Sequence, residues 1–288
     1  MTDDDDAPTT DGTGIDPARQ RAAVRKRYGE IASAASSCCG DVAGDCGESN
    51  DPSIGGETEL GYSEDDLDAV AAGANLGLGC GNPTAIASLE PGETVLDLGS
   101  GGGFDCFLAA REVGDGGRVI GVDMTPEMVE RARENVETND ATNVEFRLGE
   151  IEHLPVADGV VDAILSNCVV NLSADKRRVF AEAYRVLRPG GRLAVSDVVA
   201  TADLPNDLRD DPASVSACLG GAAAIPTLES MLADAGFVDV AIEPKDESES
   251  FIREWDPDRD LADYLTAATI EARKPTNDLE SASEGTAA

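Results

Sequence analysis

The sequence predicts an α/β fold: a doubly wound, mostly parallel sheet with an N-terminal cysteine-bearing extension and a small C-terminal covering region. Three observations carry this reading. Apolar strand-like runs alternate with helical stretches, the pattern of a parallel sheet covered on both faces. A glycine-rich turn lies where the first run meets the first helix, at Gly99-Ser100-Gly101-Gly102-Gly103. Hydrophobic residues make up 41% of 288 residues, enough for a core of ordinary size.

The elements follow in order. Residues 1–16 are almost entirely polar and read as a disordered acidic tail. Asp16–Ala35 is helix-like, with Asp16 as a cap and Pro17 in the first turn. Residues 36–60 are rich in Gly, Ser, Asp and Cys and read as a mobile loop. Ser63 begins a second short helix ending near Gly73. Strands are expected at Thr94–Leu98, Arg118–Asp123, Val144–Leu148, Val160–Leu165 and Gly191–Asp197. Helices fall between them at Phe104–Val113, Pro126–Thr138 and Ala174–Leu187. Arg188-Pro189-Gly190-Gly191 is a breaker before the fifth strand. Thr227–Ala235 is a further helix and Gly236–Glu243 a strand, and Tyr264–Ala272 fits either. The expected divisions are 1–16, an extension at 17–74, a ligand-binding domain at 75–200, a covering region at 201–273 and a disordered tail at 274–288.

Asp and Glu number 57 against 22 Lys and Arg, a net charge of −35. Such a chain repels the polyanions DNA, RNA and anionic lipid, so neither nucleic acid nor membrane is an expected partner. Only Lys26, Lys176, Lys245 and Lys274 are lysines. Excess acid with scarce lysine points to a protein that works in molar salt, where the Debye length is about 3 Å. The N-terminus lacks the features of a signal peptide, and no apolar run approaches the roughly 20 residues of a membrane span. A cytoplasmic location is expected, and there seven cysteines do not read as a permanent disulfide framework.

The glycine turn is the strongest signal. Glycines let a backbone turn tightly and approach a ligand, and the following helix offers free N–H groups. Gly-x-Gly-x-x-Gly, the dinucleotide pattern, fails here: its third position is Phe104 counted from Gly99, and Cys106 from Gly101. The motif Asp97-x-Gly99-x-Gly101-x-Gly103 instead resembles the first motif of class I, Rossmann-like methyltransferases that use S-adenosylmethionine. Asp123, ending the second strand, suits paired hydrogen bonds to ribose hydroxyls, and Met124 suits packing on an adenine. The resemblance places Glu150 and Ile151 at the adenine edge, and Ser100 and Asn167 among the donor-binding residues.

The cysteine contexts narrow the resemblance. GLGCGNP, VLDLGSGGGFDCF, GVDMTPEM, EIEHLPV, SNCVVNLSADKRRVF, RVLRPGG, SDVV and CLGGA together are similar to the arsenite S-adenosylmethionine methyltransferases, over roughly residues 20–272. The resemblance implies that Cys168 and Cys218 hold trivalent arsenic, with Cys80 and an N-terminal cysteine completing the set. The N-terminal candidates are Cys38 and Cys39, with Cys46 reading equally as ligand or buried thiol. Arsenic(III) is soft and selects thiolates. Its lone pair is the nucleophile, so the methyl step requires no general base.

Methylated arsenicals and S-adenosylhomocysteine are the implied products. Arsenite or its thiol conjugate is the implied substrate, and a thioredoxin-type or small-thiol reductant the implied partner. No structural metal is expected, and a monomer is. Cys106 reads as a buried core thiol, and His153 as a surface residue. Two other readings stay open: an O- or C-methyltransferase of a small organic molecule, or a non-catalytic protein that sequesters arsenic or a metal.

Overall fold

A computed structural model describes residues 13–36, 60–71, 73–256 and 259–276. In chain order the elements are α1 (Pro17–Ser36), α2 (Glu64–Ala69), α3 (Pro83–Ala87), β1 (Thr94–Leu98), α4 (Phe104–Val113), β2 (Arg118–Asp123), α5 (Pro126–Thr138), β3 (Val144–Leu148) and β4 (Val161–Asn167). Then come α6 (Lys176–Val186), β5 (Leu187–Ala200), α7 (Asn206–Arg209), α8 (Pro212–Ser216), α9 (Ile225–Ala235), β6 (Val238–Lys245), α10 (Glu249–Ile252) and β7 (Leu265–Arg273).

The seven strands form one sheet in the order β3-β2-β1-β4-β5-β7-β6. The first five are parallel, while β7 runs antiparallel to both β5 and β6. The order reverses at β1, between β2 and β4. In such sheets the ligand crevice opens there, beyond the carboxyl ends of the strands.

Alternation along each strand builds two cores. In β1, Val95 joins the cluster that includes Phe107, Leu165 and Val198, while Leu96 and Leu98 join Ile120, Phe180 and Leu232 on the other face. The helices hold their places through local signals. The Ser63 side chain accepts from the Asp66 N–H while Asp66 accepts from the Ser63 N–H, a capping box that starts α2. The Asp16 carboxylate accepts from the Arg19 N–H at 3.0 Å and starts α1.

Several expectations are corrected. Arg188-Pro189-Gly190-Gly191 does not separate helix from strand. The fifth strand begins at Leu187 and runs through these residues, absorbing them as a register shift against β4. A bulge takes up extra residues without ending a strand. The 201–273 region is not merely a cover, because β6 and β7 complete the sheet, and 265–273 is a strand. The segment before α1 is not wholly free: Thr13 and Ile15 are buried, and the Gly14 N–H donates to Asp210 at 3.1 Å. Lys274 is likewise anchored, donating to the Tyr184 and Leu187 carbonyls at 2.7 Å each. The expected loop at 36–60 lies almost entirely outside the described residues.

The lysines are unevenly placed. Lys176 is 1% exposed and donates to the Ser173 carbonyl, and Lys245 is partly buried at the end of β6, whereas the Lys26 side chain is 78% exposed. Among the described residues, no helix is long and apolar enough to cross a membrane.

Candidate functional site

The turn after β1 is fixed by its own backbone. The Gly99 and Ser100 N–H groups donate to the Val122 carbonyl at 2.8 and 3.1 Å. Gly99 has φ +68°, and a Cβ there would meet Val169 Cγ2 at 2.4 Å, so only glycine fits. The Gly101 N–H donates to one Asp123 carboxylate oxygen at 3.0 Å, and the Thr125 N–H to the other at 2.8 Å. The strand-end aspartate is thereby aimed across the glycine turn.

A cavity opens above this turn, enclosing about 1140 Å³ of empty space, part of it open to solvent. Its floor is Asp97, Gly99–Gly102, Asp123 and Met124; its sides include Ile151, Asn167 and Cys168. Helix α1 contributes Arg21, Val24 and Tyr28, and Tyr62 and the Ala74–Gly79 stretch close another side. Two residues expected to bind the donor do not line it. Gly103 caps α4, and a Cβ there would strike Phe146 at 2.6 Å, so it serves helix–sheet packing. Glu150 turns outward to Arg25 at 3.4 Å, and Glu152 lines the cavity instead.

Sequence reading also missed Asp105 and Tyr62. The Tyr62 hydroxyl donates to Asp105 at 2.6 Å, and the Asn167 amide reaches the other Asp105 oxygen at 3.2 Å. Burial pushes the Asp105 carboxyl up to about 6, against the pull of those two hydrogen bonds. Burial, then the neighbouring Asp105 charge, pushes Asp97 well above the usual range, and burial raises Asp123 too. Two buried carboxylates and the half-buried Asp123 around one cavity, each costly to ionise, favour a cationic guest. A nucleoside carrying a sulfonium and an ammonium matches both this charge and the glycine turn. Asp123, Met124 and the turn would hold it, and when bound it supplies an electrophilic methyl group.

Three cysteines from distant segments meet beside the cavity. Cys168 follows β4 with φ +53°, and Cys218 follows α8 with φ +65°, conformations that L-residues rarely hold. The Cys218 thiol donates to the Cys168 carbonyl at 3.0 Å, and its sulfur lies 3.9 Å from the Tyr28 hydroxyl. Burial pushes the Cys218 thiol up to about 12, a neutral group until a soft centre displaces its proton. Cys80 and Cys168 are joined as a disulfide, with Cα atoms 5.9 Å apart. The sequence led us to expect both as free thiols. Eighty-eight residues separate them, and the Cys80 N–H donates to the Asn167 side chain at 3.0 Å, which brings the two segments together. Cys106 is fully buried on α4 and lies 3.2 Å from Asp97, as expected of a core thiol. The His153 side chain is exposed. Cys38, Cys39 and Cys46 lie outside the described residues. Asp197, buried within reach of Cys80 and Cys168, is a group the sequence reading did not single out.

The switch-point sheet, the glycine turn and the acidic cavity define a class I, S-adenosylmethionine-dependent methyltransferase. A family model described as a methyltransferase domain matches residues 89–241. The arsenite methyltransferase of Halobacterium salinarum is 60% identical over 268 residues, covering 91% of this chain and 68% of that protein. That of Aquipseudomonas alcaligenes is 45% identical over 168 residues, covering 56% of this chain and 48% of its own length. The solved structure of an arsenic(III) S-adenosylmethionine methyltransferase from Chlamydomonas reinhardtii superposes with a TM-score of 0.59 at 33% identity, covering 77% of this chain and 73% of that one. The chain belongs to the arsenite methyltransferase family.

Proposed function

We propose that the chain methylates trivalent arsenic, using S-adenosylmethionine as donor and the sulfurs of Cys168, Cys218 and Cys80 as the arsenic cradle. One observation carries this reading: three cysteines from remote segments converge, and Cys168 among them lines the donor cavity. Three sulfurs leave the arsenic lone pair exposed. The cradle's task is to hold arsenic in line with the methyl group, since orientation alone contributes most of the acceleration in such a transfer. Asp123, Met124 and the glycine turn hold the donor; Asp97 and Asp105 favour its positive charge.

The Cys80–Cys168 disulfide supports a role for a reductant. Two electrons and two protons from a thioredoxin-type protein or a small thiol convert it to two thiols, and the reductant leaves oxidised. Arsenite, free or as a thiol conjugate, then exchanges its oxygens or thiolates for the cysteine sulfurs. Cys38 or Cys39 serves as the additional N-terminal thiol, and the protein acts as a cytoplasmic monomer.

The test incubates reduced protein with arsenite and labelled donor and separates the arsenic products by chromatography. Methylated arsenic and S-adenosylhomocysteine are expected. Cys168→Ser and Cys218→Ser should abolish methylation of every arsenical. Cys80→Ser should lose arsenite but spare methylarsenite, whose arsenic already carries one carbon. Arsenic binding without consumption of donor would replace this reading by sequestration. Normal arsenite methylation by Cys168→Ser would refute the cradle.

A further inference from the structure

The three sulfurs of the cradle are not equally placed. The Cys218 thiol is committed to the Cys168 carbonyl. The group whose ligand atoms stand together is instead Cys80, Cys168 and Asp197, with two sulfurs and one carboxylate oxygen all within 4.8 Å of one another. All three side chains are buried, at 1%, 3% and 1% exposure.

The two oxygens of the Asp197 carboxylate are unequally engaged. Its Oδ1 accepts from the Asn171 side chain and from the Val198 N–H, both at 2.8 Å. Its Oδ2 accepts from the Asn171 N–H at 3.3 Å, and the Val170 N–H also stabilises the carboxylate. The carboxylate is therefore oriented by hydrogen bonds, and a cation would take the place of the longer contact at Oδ2.

Two soft sulfurs and one hard oxygen differ from the all-sulfur set that arsenic(III) selects. They match a borderline divalent cation, which accepts mixed sulfur and oxygen ligands. Tetrahedral zinc takes sulfur at about 2.3 Å and carboxylate at about 2.0–2.2 Å, so its ligand atoms stand about 3.5–3.8 Å apart. The three atoms can reach that spacing once the disulfide is reduced. Three anionic ligands around a dication leave one negative charge, and Lys176, buried with its charge near Asp197, offsets it.

We propose that the reduced chain binds a zinc-type divalent cation through Cys80, Cys168 and Asp197, and that this cation and arsenic(III) exclude one another. The exclusion rests on the arsenic reading above, because it requires the same two sulfurs; the cation site does not. Cation binding is an exchange in which two thiol protons are released and two metal–sulfur bonds form. Cys218 takes no part, so occupation by the cation leaves the Cys218 thiol where the structure has it, on the Cys168 carbonyl. The site thereby makes the enzyme's arsenic capacity depend on the free zinc level.

The experiment uses the full-length, reduced chain with Cys38→Ser, Cys39→Ser and Cys46→Ser, which removes other thiol ligands. Zn²⁺ is titrated in competition with a chromogenic chelator, and donor binding by calorimetry reports that each variant is folded. One equivalent of Zn²⁺ is expected to bind. Asp197→Asn should weaken it by about tenfold or more, while Cys218→Ser should leave it unchanged. Should Asp197→Asn fail to bind donor, Cys80→Ser decides, and it too should lose the cation. Zn²⁺ affinity unchanged by Asp197→Asn or by Cys80→Ser would overturn the proposal, as would loss of the cation in folded Cys218→Ser. Arsenite titration of the same proteins separates the two readings. Arsenite bound without Zn²⁺ refutes the cation site alone, and Zn²⁺ bound without arsenite refutes the arsenic cradle alone.

Discussion

Donor affinity should fall in mild acid, and Asp105 sets where. Its carboxyl is pushed up to about 6 by burial in the wall of the donor cavity. A cationic ligand favours the ionised carboxylate, so the bound state should return Asp105 toward the ordinary range near 4. At about pH 7.5 the free protein is already ionised there and nothing is lost. At about pH 5 roughly ten molecules carry the proton for each that does not, and ligand binding must expel it. The affinity should therefore drop about tenfold between these values, or about 1.4 kcal/mol. Asp97 is raised by burial and by Asp105 itself, so its contribution has the same sign. Tyr62→Phe removes a 2.6 Å hydrogen bond that lowers the Asp105 value, and should move the transition to higher pH. Calorimetric titration with S-adenosylmethionine across this pH range, in molar KCl, measures the effect. Affinity that is flat across the range would refute the assignment, as would an unchanged transition in Asp105→Asn.

Three further outcomes are expected. Asp123→Ala should weaken donor binding by about 1–3 kcal/mol, the usual cost of a lost buried charged hydrogen bond, while circular dichroism stays unchanged; unaltered affinity would displace the donor from the β2 end. Gly99→Ala should destabilise the fold by about 1–2 kcal/mol for its left-handed backbone and by about 1–3 kcal/mol for overpacking Val169, measured by denaturant midpoint. A wild-type midpoint would show that the contact with Val169 relaxes freely. The melting temperature should rise steeply as KCl increases from dilute to molar, because salt screens a net charge of −35; a flat profile would refute adaptation to molar salt.

How much of this was legible in the sequence depends on the range of the interaction. The strands at Thr94–Leu98, Arg118–Asp123 and Val144–Leu148 have the bounds read from alternation and turn residues, because both signals are local. Leu187 joining β5 was not legible, since proline and glycine mark a break unless a neighbouring strand absorbs them, and that neighbour is β4. The glycine turn and Asp123 were legible as candidates because motif resemblance and strand-end position are both features of local sequence, and the structure brings them to one cavity. Asp105 could not: it lies one residue inside a helix, and only the fold brings Tyr62 and Asn167 to it. Glu150 and Glu152 differ by two positions on one turn, and only backbone direction selects which faces the cavity. Asp197 stood within the SDVV phrase, but its closeness to Cys80 and Cys168 is a contact between distant segments.

The placement of the lysines has a practical consequence. Amine-directed chemistry requires an exposed amine. Lys176 is sealed in the interior, Lys245 is partly buried and Lys274 is spent on two carbonyls and the Tyr184 ring. Lys26 stands in solvent, one turn from its i,i+4 partner Glu30. It is on α1, two residues before Tyr28, and that helix walls the cavity above the glycine turn. An acylating dye therefore marks α1 over any other described element without engineering, and its emission can report whether added S-adenosylmethionine or arsenite reaches that wall.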